Sequence, residues 1–249
     1  MKNILIIFTL LGLMAFTFQQ EEDETTIFLV GDSTMANKPY RDGNPEHGWG
    51  QVFGLFLKDG YRVENHAVNG RSSRSFRTEG RWDVVMERMK PGDYVIIQFG
   101  HNDQKIKDST RYSAPETDYR AHLTRFVAEV RAGGGNPILA TPIERRRFDE
   151  NGEFYGTHGE YPRVVREVAE ATEVPMLDLQ VLTRQLLIAY GEENSKKLFL
   201  FIEPGEYPSL PDGREDNTHL SAVGAFRVSD LAKQEIMARV PGLKEAFKD

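Results

Sequence analysis

The stretch FLVGDSTM (residues 28–35) runs an apolar segment directly into Gly31, Asp32 and Ser33. A short apolar, β-branched run that stops at turn residues reads as a buried strand followed by a loop. Four further runs of this kind follow along the chain: YRVENH (61–66), YVIIQF (94–99), PILAT (137–141) and VPMLDL (174–179). Helix-spaced stretches separate them at 48–57, 81–89, 115–132, 161–172 and 179–190. In the third of these, Tyr119, Leu123, Phe126, Val127 and Val130 fall on one helical face, which predicts a buried stripe. A last helix is expected from about Ser221 to Val240, with Ser221 as its N-cap. Strand and helix alternating in this way give an open, five-stranded parallel sheet covered on both faces, an α/β architecture. Two longer excursions interrupt it. Residues 142–160 contain a predicted hairpin around Asn151-Gly152, and 191–218 are rich in Pro, Gly and aromatics.

Composition narrows the chemistry. The 249 residues contain no cysteine, which excludes disulfides, thiolate metal sites and a cysteine nucleophile. There are 31 Lys and Arg against 38 Asp and Glu, a net charge of −7, the opposite of what a polyanionic nucleic-acid partner requires. The first residues, MKNILIIFTLLGLMAFTFQQ, join one lysine to an apolar run from Ile4 to Phe18, and acidic residues begin at Glu21. That run falls short of the roughly 20 residues that span a bilayer, so residues 1–20 read as a secretory signal peptide. Residues 21–249 are then expected to be one exported domain, periplasmic or extracellular, with no stable membrane insertion.

In open α/β sheets, ligands sit beyond the carboxyl ends of the strands, where the strand order reverses. Three polar turns occupy that end: Ser33 after the first strand, AVNGRSSRS with Gly70 after the second, and GHND with Asn102 after the third. With the common strand order 2-1-3-4-5, Ser33 lies between Gly70 and Asn102. Alone, a serine in this position is a turn residue. Flanked by donors, it suits acyl transfer, with the Ser33 and Gly70 amides and the Asn102 side chain as an oxyanion hole. A base is needed, and GREDNTHLSAVGA (213–225) offers Asp216 and His219 three residues apart in one tight turn. The carboxylate can hold one imidazole nitrogen and leave the other for the serine.

These blocks resemble the SGNH, or GDSL, hydrolase superfamily: Ser33 in GDST, Gly70 in NGRSS, Asn102 in GHND, and Asp216 with His219 in DNTH. The threonine after Ser33 departs from the leucine of GDSL. Together with HGWGQ (47–51) and GRSSRSFRTEGRW (70–82), they are similar to the rhamnogalacturonan acetylesterase branch. The resemblance implies a three-layer αβα, flavodoxin-like fold and a Ser-His-Asp esterase. The expected activity removes O-acetyl groups from plant cell-wall polysaccharide, rhamnogalacturonan first, through an acetyl-enzyme and without a cofactor. The expected partner is an acetylated polysaccharide or oligosaccharide. Alternative readings are an SGNH esterase acting on acetylated xylan, another acetylated glycan or a lipid ester, and a noncatalytic carbohydrate-binding protein.

Other polar groups are weaker candidates. Asp32, His101 and Asp103 fit a strand-end metal site by type, but the Asp-x-His of metal-dependent phosphoesterases is missing after the first strand, and no metal is expected. His47, His66, His122 and His158 read as surface or satisfied core histidines. Arg71, Arg74, Arg77 and Arg81, and the run Arg145, Arg146 and Arg147, read as solvated charge. Arg74 is the first candidate among them for binding a galacturonate carboxylate, because guanidinium pairs planar carboxylates.

Overall fold

The computed structural model describes residues 24–248; the expected signal segment lies outside the described residues. The elements in chain order are β1 (Thr25–Gly31), β2 (Glu46–His47), α1 (Trp49–Phe53), β3 (Tyr61–Asn65), α2 (Ser73–Thr78), α3 (Arg81–Arg88), β4 (Tyr94–Gln98) and α4 (Arg120–Ala132). They continue with β5 (Asn136–Ala140), α5 (Tyr161–Thr172), β6 (Met176–Leu177), α6 (Leu179–Ser195), β7 (Phe199–Ile202), β8 (Arg214–Ser221) and α7 (Ala222–Arg239).

Five parallel strands form the main sheet in the order β3-β1-β4-β5-β6, which is the expected 2-1-3-4-5. Successive strand residues point to opposite faces, and the core splits accordingly. Ile27, Leu29, Ile96 and Ile138 pack on the side of Trp49 and Phe53 of α1, Leu187 of α6 and Ala232 and Ile236 of α7. Phe28, Val30, Val95, Ile97 and Leu139 pack on the side of α2 to α5. Both faces are covered, so both sets of strand residues are apolar, and the strands read as continuous hydrophobic runs. The α4 stripe of Tyr119, Leu123, Phe126, Val127 and Val130 is buried as the spacing predicts.

The structure adds three things. First, α2 falls where the helix-spaced Arg74 and Arg77 read as a solvated helix face. It is held by a capping box in which Ser72 and Ser75 each accept from the other's backbone amide. Second, the 191–218 excursion is partly ordered as an antiparallel sheet, β2-β8-β7, beside the main one. Third, the helix expected over 48–57 is a short α1 that tightens into a 3-10 turn at Gly54–Phe56. The predicted turn at Asn151-Gly152 is present, with Gly152 N donating to Asp149 O at 3.0 Å and Phe148 bridged to Phe154. Ser221 caps α7 by accepting from Gly224 N. Among the described residues no helix is long and apolar enough to cross a membrane.

The start of α1 lies directly on the turn that follows β1. Trp49 N donates to Thr34 O at 2.9 Å, and a Cβ on Gly48 would stand 2.2 Å from Ala36 O and 2.5 Å from Met35 C. Backbone cannot retreat there as a flexible side chain could. Gly48→Ala is therefore expected to cost about 1–3 kcal/mol of stability or more, as overpacked sites do. Urea unfolding checks this, and an unchanged midpoint contradicts the close packing.

Candidate active site

After Gly31 the chain leaves the sheet through a tight turn. The Asp32 carboxylate accepts from Thr34 N and from the Thr34 hydroxyl, both at 2.9 Å, while Asp32 O accepts from Met35 N and Ala36 N. This Asx-type turn lifts Ser33 between its neighbours with its residue 8% exposed. Below it, the buried Gln98 side chain at the end of β4 accepts from Trp49 Nε1 at 3.0 Å and donates to Thr141 O at 3.0 Å. The turn thus rests on a fixed polar floor.

His219 reaches Ser33 from the second sheet. Its Nε2 lies 3.0 Å from Ser33 Oγ, and its Nδ1 lies 2.7 Å from Asp216 Oδ2. Asp216 Oδ1 also accepts from Thr218 N at 2.8 Å and His219 N at 3.0 Å. The tight turn expected at this Asp-x-x-His segment proves to be a bulge within β8: Phe199 pairs with Leu220 but the next residue, Leu200, pairs with Asp216, so 217–219 loop out of register. Burial would push the Asp216 carboxyl up, but the His219 ring and the two backbone donors outweigh it and hold it well below the usual carboxylate range. A carboxylate that stays ionised fixes the imidazole with Nδ1 protonated and Nε2 free to accept the serine proton.

The bulge has an anchor that sequence reasoning missed. Arg146 is buried, its N donates to Asn217 O at 2.8 Å, its Nη1 to Asn217 Oδ1 at 2.9 Å, and its Nη2 to Glu192 O at 2.6 Å. It was read as surface charge because the flanking arginines conceal it in a run of three.

On the opposite side, Val68 N donates to Gly31 O at 3.1 Å, which joins the loop after β3 to the strand end just before Ser33. Asn102 Nδ2 donates to Arg71 O at 3.0 Å, tying the Gly70 loop to the turn after β4. Gly70 has φ +76°, a conformation that side chains resist, so this backbone position calls for glycine. Neither the Ser33 nor the Gly70 amide donates to an acceptor among the described residues. The same loop is braced by Lys38, whose buried Nζ pairs with Glu46 at 2.7 Å and donates to Asn69 Oδ1 at 2.5 Å.

The other sequence candidates have structural partners. Arg74 Nε donates to Tyr112 O at 2.8 Å and its guanidinium pairs with Asp118. Arg71 and Arg81 share Glu79, and Arg77 pairs with Glu129. His158 Nε2 donates to Ile143 O at 2.8 Å, and its ring meets that of His101 edge-on, 4.5 Å between centroids. His101 Nδ1 in turn lies 3.3 Å from Asp32 Oδ2. Burial pushes both of these imidazoles down. Among the described residues no three His, Asp or Glu side chains group so as to hold a metal ion.

Residues 29–225 match the model of the GDSL-like lipase/acylhydrolase family. The chain belongs to that family. It is 45% identical over 210 residues to the rhamnogalacturonan acetylesterase RhgT of Bacillus subtilis, covering 84% of this chain and 88% of that one. A rhamnogalacturonan acetylesterase of Emericella nidulans is 28% identical, covering 89% of each. The solved structure of YxiM from B. subtilis superposes with a TM-score of 0.73 at 27% identity, over 86% of this chain and 56% of that one. A GDSL-family member with acetylesterases among its relatives is a carboxylic ester hydrolase.

Within this GDSL-family site, Asp103 stands out. It is fully buried; Oδ1 accepts from Ser73 N at 3.0 Å and Ser73 Oγ at 2.5 Å, and Oδ2 has no partner among the described residues. Burial pushes its carboxyl up to about 7 despite the Ser73 donors. The folded protein then keeps a proton that the unfolded chain releases near pH ~4. Its stabilising effect is complete below that value and is lost as pH rises toward about 7. Asp103→Asn, which stays neutral and can still accept from Ser73, is expected to flatten the decline of Tm between about pH 4 and 7. Thermal unfolding of both proteins across that range checks it, and parallel profiles contradict it.

Proposed function

We propose that this GDSL-family hydrolase is an exported serine esterase that removes O-acetyl groups from plant cell-wall polysaccharide, with rhamnogalacturonan as its first substrate. Residues 1–20 serve as its secretory signal and 21–249 as its catalytic domain. The observation that carries the chemistry is the contact chain Ser33 Oγ to His219 Nε2 at 3.0 Å and His219 Nδ1 to Asp216 Oδ2 at 2.7 Å. The 45% identity to a rhamnogalacturonan acetylesterase over most of both chains supports the substrate.

His219 takes the Ser33 proton as Oγ attacks the acetyl carbonyl. The resulting oxyanion is held by the Ser33 and Gly70 amides and the Asn102 side chain. Collapse of the tetrahedral intermediate breaks the ester bond, and His219 returns the proton to the departing sugar hydroxyl. Water, deprotonated by the same imidazole, then attacks the acetyl-enzyme and releases acetate and free Ser33. Asp216 steadies the imidazolium that forms in each half-reaction. No cofactor takes part in this scheme.

Ser33→Ala is expected to lower acetyl-ester hydrolysis by at least about a thousandfold. Asn102→Ala is expected to lower kcat by about 10²–10³, the usual loss for one oxyanion donor. Acetate release from acetylated rhamnogalacturonan, acetylated xylan and a lysophospholipid should be fastest from the first. Undiminished hydrolysis by Ser33→Ala would falsify the mechanism, and a preference for xylan or lipid would redirect the substrate.

A further inference from the structure

We propose that Lys105, Arg111 and Arg145 form a carboxylate-binding subsite on the rim of this site, which holds the uronate of an acidic acetylated glycan beside the ester that Ser33 attacks. The proposal rests on the esterase reading and adds to it the residues that select an acidic substrate.

The three cations come from three separate segments and surround the proposed oxyanion donors. Arg111 Nη1 lies 3.6 Å from where a Cβ on Gly70 would stand. Lys105 follows Asn102 by one turn, with its N donating to Asn102 O at 3.2 Å. Arg145, entering from the segment after β5, donates from Nη2 to His101 O at 3.3 Å and from Nη1 to Thr157 Oγ1 at 2.9 Å. Partial burial, and then the charges of Arg111 and Arg145, push the Lys105 ammonium down, while Asp108 and Asp32 act in the opposite direction.

The charge balance there differs from that of most other arginines in the structure. Arg71, Arg74, Arg77, Arg81, Arg88, Arg120, Arg163 and Arg166 each face a carboxylate. Neither Lys105 nor Arg145 has one within ion-pair distance among the described residues. Among the described residues Asp108, 3.0 Å from Arg111, is the one carboxylate paired with the three. Asp32 and Glu144 act on Arg145, and Asp108 and Asp32 on Lys105, but only from beyond ion-pair distance, so an anion that reached these two cations would add a direct pair. The Lys105 side chain is exposed and Arg111 partly so, which leaves room for a ligand. Guanidinium groups suit the planar carboxylate of a uronic acid, and a charge-assisted pair beside the reacting ester adds orientation as well as affinity. Galacturonate supplies such a carboxylate in rhamnogalacturonan; neutral xylan backbones do not.

The test uses three substrates: acetylated rhamnogalacturonan oligosaccharide, the same oligosaccharide with its carboxyls methyl-esterified, and p-nitrophenyl acetate. For Lys105→Ala and Arg111→Ala, the ratio of kcat/KM on the acidic oligosaccharide to that on p-nitrophenyl acetate is expected to fall about tenfold. On the methyl-esterified oligosaccharide the same ratio should match that of the wild type. A ratio unchanged on the acidic substrate, or lowered equally on both oligosaccharides, overturns the subsite and leaves the esterase reading intact. A wild-type enzyme that hydrolyses none of the three sinks both.

Discussion

The 3.0 Å contact between Ser33 Oγ and His219 Nε2 joins residues 186 positions apart and two different sheets. Its geometry requires that the end of β1 and the bulge of β8 be fixed independently and meet within hydrogen-bonding distance. The Ser33 side is fixed by the Asp32 turn, Gln98 beneath it and the close approach of Gly48. The His219 side is fixed by Asp216, which satisfies the backbone of the bulge as well as the ring, and by Arg146, which clamps Asn217 from the end of β5. Asp216 therefore does two things with one side chain: it shapes the bulge and it orients the His219 ring.

The donor side is built on a similar plan. Gly70 takes a left-handed backbone, Asn102 ties its turn to Arg71, and Asp103 grips the first amide and hydroxyl of α2 from below. A buried carboxyl that keeps its proton costs less than a buried charge, and it still fixes the spacing between the two loops. Asp32, His101 and His158 form another buried polar cluster near Ser33, in which Thr34 donates to Asp32. Exclusion of water strengthens each of these interactions.

The five central strands were legible in the sequence because a sheet buried on both faces leaves uninterrupted apolar runs, as IFLV and YVII show. Ser33, Gly70 and Asn102 became candidates because each follows a predicted strand, and Asp216 and His219 because they stand three residues apart just before the closing helix. The small sheet was not, since β8 reads REDNTHLS, a polar segment with a three-residue bulge and no alternation. Burial of a charged side chain also leaves no local signature. Arg146 and Lys38 look like ordinary surface cations until their partners, far away in sequence, are known. The Asp118 partner of Arg74, 44 residues on, likewise has no local signature.

In the proposed mechanism Ser33 carries the acetyl group between the two half-reactions. Rapid acid quench during turnover of an acetylated oligosaccharide, followed by peptide mass spectrometry, reads this directly. The account expects an acetyl group on the peptide containing Ser33, appearing before steady state and disappearing when substrate is exhausted. Acetate released at the full rate with that peptide unmodified at every time point contradicts it.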